Sequence, residues 1–240
     1  MSATRPEDGP DHETAAGPEV DDTAAAAQAV AELLAVMRRL RAECPWKQEQ
    51  THRSLARYLL EETYETLDAI DEGAASGDHA HLGEELGDVL LQVVFHAVIA
   101  EERGDFDLAD VARGITAKMR RRNPHVFDAP TAEQARDVPL DAAAVDELWQ
   151  QAKAAERNAA GSEVSGPGSG DAGPAAGLPS GLPALLYADK LLARLERAGR
   201  PVDVDPDGDL GERMLALVAE ARAAGIDAEQ ALRDAVRARL

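Results

Sequence analysis

Residues 61–88 read EETYETLDAIDEGAASGDHAHLGEELGD, and two acidic pairs stand in that stretch, Glu62-x-x-Glu65 and Glu85-x-x-Asp88. Each pair lies in a helical context, and side chains three apart on a helix leave it from nearly the same side. If the two helices face each other, their carboxylates converge. Like unit charges at contact distance repel by roughly 4 kcal/mol at an effective dielectric near 20, so convergence calls for a positive partner. Oxygen-only donors favour a hard divalent cation, magnesium or manganese, over zinc or copper. An acidic pair by itself is commonly a solvated helix face, but here the surroundings argue for more. Glu62 borders an apolar stripe carried by Leu55, Leu59 and Ile70. Glu85 and Asp88 open onto the run VLLQVVFHAVIA, residues 89–100, which is apolar almost all round. Such a helix is expected to be buried, and carboxylates at its start are seldom left without a partner.

Working outward, the apolar spacing predicts helices on either side. A first helix is expected over 24–43, with Val30, Leu33, Leu34 and Met37 in register, broken at Cys44-Pro45-Trp46 because proline disfavours helix in the residue before it. The second starts near Thr51 or Ser54 and ends with Gly73 as its left-handed cap. The third covers 78–103 and stops at Gly104; Asp107 and Asp110 then form a capping box for a fourth, which carries Val111, Ile115 and Met119 to Asn123 and Pro124. Short loops between long amphipathic helices make neighbours antiparallel. The fold class is therefore all-α, a four-helix bundle, with no strand-type alternation. A fifth helix, 140–157, carries Trp149.

The chain has 240 residues, enough for one or two domains with a core. Four segments are expected: an acidic disordered tail over 1–23, a helical domain over 24–158 with its core motif at 52–127, a Gly/Ser/Pro linker over 159–181, and a smaller helical part over 182–240. That last part echoes the third helix, since Asp209-Leu-Gly-Glu212 followed by Met214 and Leu215 matches Glu85-Leu-Gly-Asp88 followed by Val89 and Leu90 in kind. It has no counterpart of Glu61-Glu62-x-x-Glu65, so a second copy would lack half its ligands and be inactive. A single cysteine, Cys44, excludes an internal disulfide and a thiolate zinc site, which suits a cytoplasmic protein. No apolar run approaches the ~20 residues that cross a bilayer, and no signal peptide opens the chain. The net charge of −20 argues against a nucleic-acid partner, but not against a small polyphosphate met by cations and a local basic cluster. Arg113, Lys118, Arg120, Arg121 and Arg122 form such a cluster, although cations at a helix C-terminus also complement its dipole without any ligand.

Several of these segments stand in one order. Trp46 within CPW is followed by Gln50-Thr51-His52-x-Ser54-Leu55, then by Leu60-Glu61-Glu62-Thr63-Tyr64-Glu65, Gly83-Glu84-Glu85-Leu86-Gly87-Asp88 and Arg121-Arg122-Asn123-Pro124-His125-Val126-Phe127. This series resembles the MazG family of all-α nucleoside triphosphate pyrophosphohydrolases, over residues 33–153. Residues 182–197, LPALLYADKLLARLER, resemble the segment joining the tandem domains of long members, so the C-terminal part is similar to a truncated second domain.

The resemblance implies magnesium-assisted hydrolysis of a nucleoside triphosphate to the monophosphate and diphosphate, by water attack on the α-phosphorus, in a homodimer or higher homo-oligomer that keeps the nucleotide pool clean. It places the metal ligands at Glu62, Glu65, Glu85 and Asp88, the positions the convergence argument also selects. It places phosphate contacts at Lys118, Arg121 and Arg122. Glu61, about 100° round the helix from Glu62, either orients the attacking water or is a solvated glutamate. Trp46 either stacks on the base or plugs the bundle end, and His52 either bonds the base or caps its helix. Trp149 and Lys153, one turn apart, either approach the nucleotide or pack the fifth helix. Lys47 departs from the family, which usually has aspartate there, and leaves base and sugar preference open.

Two other functions share parts of this pattern. A di-iron carboxylate bundle needs two Glu-x-x-His motifs on bundle helices, and the one here, Glu49-x-x-His52, falls at a helix start. A non-catalytic dimerisation module would fit the eroded C-terminal copy but not the intact acids of the first.

Overall fold

The computed structural model describes residues 19–127, 141–163 and 175–239, all of whose regular elements are α-helices. The first eighteen residues of the expected tail, residue 140, and residues 164–174 of the expected linker lie outside that description. The chain divides into two compact units, Met1–Ala154 and Ala155–Leu240.

In the first unit α1 runs Glu19–Glu43, α2 Pro45–Glu49, α3 His52–Ser76, α4 Ala80–Glu101, α5 Leu108–Arg122 and α6 Pro124–Phe127. The helix α7, Ala142–Glu163, begins in the same unit. The long helices assemble around α4, which touches α1, α3 and α5. Its buried side, Val94, Phe95, Val98 and Ile99, closes over Met37 of α1 and Leu55 of α3, with Leu33, Leu34, Tyr58, Leu91 and Leu108 packed round the edge. Each large side chain so buried contributes about 1.5–3 kcal/mol. Arg41, its side chain only 9% exposed, fastens the end of α1. Its Nε donates to Glu102 at 2.8 Å, and Nη1 donates to the carbonyls of Lys47, Gln48 and Gln50, which fixes the path of α2.

Thr51 and Ser54 form a reciprocal capping box at the start of α3, and Asp107 and Asp110 form one at the start of α5. Elsewhere the expected boundaries move. The first helix starts at Glu19 rather than residue 24, because the alanines at 24–27 are the strongest helix formers and carry the helix back through the end of the expected tail. Pro45 breaks α1 but then occupies the first turn of α2, where its missing N–H is no loss. Gly73 does not cap α3. It is buried inside the last turns, where an added Cβ would lie 2.3 Å from Nδ1 of His79, and Gly77 takes the left-handed position at φ +79°. The helix expected to end at residue 157 continues to Glu163, into the segment expected to be linker. The burial expected all round α4 is also incomplete. Within the run, Leu90 and Val93 are 38% and 37% exposed, on a side that α1, α3 and α5 do not cover.

The second unit contains α8 (Ala184–Arg197), α9 (Leu210–Ala223) and α10 (Ala228–Arg237), each touching the other two. Val218 and Ala193 are buried between them, and Arg222 bridges Asp189 at 3.2 Å and Glu196 at 3.1 Å. Among the described residues, no helix is long and apolar enough to cross a membrane.

Candidate metal centre

The α3–α4 hairpin is closed by residues 77–79, so the two acidic stretches run antiparallel and meet near its open middle. Glu62 and Glu65 from α3 and Glu85 from α4 each bring a carboxylate oxygen within 4.8 Å of the others, the one such grouping of acids, histidines or cysteines among the described residues. Glu62 is half-buried, and the Glu85 side chain is 14% exposed. The Glu62 carboxyl is pushed above its ordinary range, first by burial, then by the charge of Asp88 and by the neighbouring Glu65 carboxyl. Asp88 is thus close enough to act on Glu62, although its own oxygens fall outside the tight grouping. Three carboxylates with no nitrogen or sulfur among them make a hard-oxygen donor set, which fits magnesium or manganese. Their mutual repulsion is what such an ion would relieve.

A polar file continues from these acids along α4. Gln92, one turn beyond Asp88 and 5% exposed, is close enough to Glu62 to act on its carboxyl in the opposite sense, favouring the ionised form. The Gln92 Oε1 is buried and has no partner among the described residues. One turn further, His96 meets His52, the first residue of α3, with Nδ1 to Nδ1 at 2.8 Å. The His96 Nε2 is buried and has no partner among the described residues. Sequence reasoning missed Gln92, although residues 85, 88, 92 and 96 fall on one helical face by simple spacing.

At the other end of the acid group stands His81, also missed. Its Nε2 lies 3.0 Å from Oε1 of Glu85 and its Nδ1 3.0 Å from Oε2 of Glu72. Both oxygens belong to carboxylates, so both ring nitrogens donate, and the ring's pKa is raised, chiefly by the hydrogen bond to Glu72.

The remaining expected residues fall into separate groups. Glu61 is exposed beside Glu62. Trp46 is 47% exposed; it meets Tyr58 edge-on at 5.9 Å, and the Lys47 ammonium lies 5.1 Å from its ring centroid and 5.0 Å from that of Phe95. His52 does not cap α3, a task taken by Thr51. On α5, Lys118 is half-buried and Arg121 exposed, while Arg122 sits over the Trp149 ring at 5.1 Å with Lys153 at the same distance. Arg113 leaves the basic cluster, because its guanidinium is held by Asp110 at 2.7 Å.

Residues 50–127 match the family model of the MazG nucleotide pyrophosphohydrolase domain. The chain is 41% identical over 207 residues to a 26.1 kDa protein of Streptomyces cacaoi, covering 85% of this chain and 76% of that one. It is 41% identical over 172 residues to the nucleoside triphosphate pyrophosphohydrolase of Escherichia coli K12, covering 70% of this chain and 57% of the relative. With the protein of the same name from Mycolicibacterium smegmatis it shares 38% identity over 205 residues, 85% of this chain and 54% of the relative. The chain thus spans just over half the length of these two named relatives. The matched region contains the acid pairs of α3 and α4, the file behind them and the basic end of α5, and on that ground the chain belongs to the MazG family.

Proposed function

We propose that the chain is a nucleoside triphosphate pyrophosphohydrolase, converting an NTP or dNTP and water to the monophosphate and diphosphate. The observation that carries this is the meeting of Glu62, Glu65 and Glu85 across two helices, with Asp88 close by, inside the matched family region. Held by these four residues, a magnesium ion would neutralise phosphate charge and make bound water more acidic. The chain's own groups supply the rest. Glu61 stands exposed beside the acids, where it orients the attacking water and receives its proton. The water oxygen bonds to the α-phosphorus, and the bond from that phosphorus to the oxygen bridging it to the β-phosphorus breaks. Lys118, Arg121 and Arg122 meet the negative charge of the departing diphosphate, lysine as a point charge and arginine as a planar fork. Trp46, His52, Trp149 and Lys153 are the contacts for the nucleoside. Arg122 and Lys153 stand over the Trp149 ring and Lys47 over that of Trp46, so each indole has a cation beside it.

Two copies of the chain are proposed to form the working unit, because α3, α4 and α5 leave Leu60, Leu86, Leu90, Ile115 and Met119 exposed. The activity is tested by incubating purified protein with NTPs and magnesium. Monophosphate and diphosphate are the expected products, and Glu62→Gln and Asp88→Ala should each remove the activity. Release of a nucleoside diphosphate with orthophosphate would contradict the proposed bond cleavage.

A further inference from the structure

We propose that His81 is a positioning residue for the metal centre, holding Glu85 by one oxygen so that the other stays directed at the ion. The inference rests on the metal reading above and concerns a residue outside the acid set. His81 lies four residues before Glu85 on α4, the spacing at which helical side chains meet. Its Nε2 donates to one oxygen of Glu85 at 3.0 Å. Glutamate has three rotatable side-chain bonds, and a carboxylate fixed at one oxygen loses most of that freedom before an ion arrives.

The second half of the device is Glu72 on α3, which accepts from Nδ1 of the same ring at 3.0 Å. This second contact orients the ring, whose side chain is 49% exposed. Glu72 and Glu85 thus hold the ring from either side, and Nε2 is the face it turns to the acid group. Metal-ligating groups are commonly steered this way by a hydrogen-bonded outer layer, and removing such a partner weakens metal affinity about 10–100-fold. Here the usual order is inverted, with the carboxylate as ligand and the imidazole as its support.

The test is calorimetric titration of manganese into the full-length chain without nucleotide, followed by displacement with magnesium. His81→Ala is expected to weaken manganese binding about ten-fold. His81→Gln keeps an amide donor at the same spacing and should recover part of that loss. Glu72→Gln should weaken binding in the same direction by less. Far-UV circular dichroism of each variant checks that α4 is intact, and the partial recovery by glutamine separates positioning from a general loss of structure. His81→Ala binding manganese as tightly as the unsubstituted chain, while Glu85→Gln loses it, would overturn the positioning role alone. Failure of the unsubstituted chain to bind manganese would sink the metal reading and this inference with it.

Discussion

The rings of His52 and His96 are parallel to within 3°, with centroids 5.1 Å apart and Nδ1 atoms 2.8 Å apart. Stacked rings cannot bring atoms that close, so the two lie edge to edge and share a true hydrogen bond. One nitrogen donates and the other accepts. Because Nε2 of His96 is buried with no acceptor among the described residues, its proton belongs on Nδ1, since an orphaned buried N–H is the rarer and costlier arrangement. Protonating His96 would place a second N–H in that dry position, and its pKa is accordingly lowered from 6.5, first by burial and then by the charge of His52. The sign follows. With the folded pKa below the unfolded one, the unfolded chain binds more protons between the two values, so this contribution is complete above about 6.5 and is lost as pH falls through the folded value. The urea midpoint is therefore expected to drop between about pH 7.5 and about pH 5, and His96→Gln should flatten that slope. An unchanged slope in the variant would remove His96 as its source.

At the scale of elements, Arg41 ties the ends of α1 and α4 to the turn that carries Trp46. Arg41→Ala would leave the part-buried carbonyls of Lys47 and Gln50 without their donor and is expected to lower stability by about 1–3 kcal/mol, measured by denaturant unfolding. Arg41→Lys should recover little, since an ammonium cannot span three carbonyls and a carboxylate. Thr51→Ala, which removes the α3 cap, should cost about 1 kcal/mol in the same assay. What the sequence disclosed about these elements depended on how local each device is. The boxes Thr51/Ser54 and Asp107/Asp110 and the stop at Gly104 need only a few neighbours, and they were legible. Gly73 misled because two glycines stand four apart, and the contact that decides between them, with His79, exists only after the hairpin closes. The acids of α3 and α4 could be paired because each lies at helical spacing beside an apolar stripe. The His52–His96 bond joins residues 44 apart and left no local trace. Gln92 was hidden by the apolar run around it, and Glu72 reaches His81 from the facing helix.

For the whole molecule, the apolar surface left on α3, α4 and α5 sets the expected assembly. The chain should sediment as a dimer at micromolar concentration, and Ile115→Glu, which puts a charge on that surface, should shift it toward monomer. A chain that sediments as a monomer without substitution would refute this. The second unit follows a different course. Asp209, which corresponds to Glu85 in the echoed motif, spends its carboxylate on the backbone N–H of Glu212 at 3.0 Å as the cap of α9. It gains a helix end where the first unit gathers acids. That gathering has a consequence for the fold as well as for chemistry. In a chain of net charge −20, the seam between α3 and α4 is a point of local frustration, where burial and repulsion pull against each other. An ion that binds only the folded form at 100 times its dissociation constant adds about 2.7 kcal/mol of stability, so magnesium should raise the melting temperature and a chelator should lower it. In cation-starved solution amide exchange should quicken first around residues 62–65 and 85–88, making the working part of the molecule also its softest.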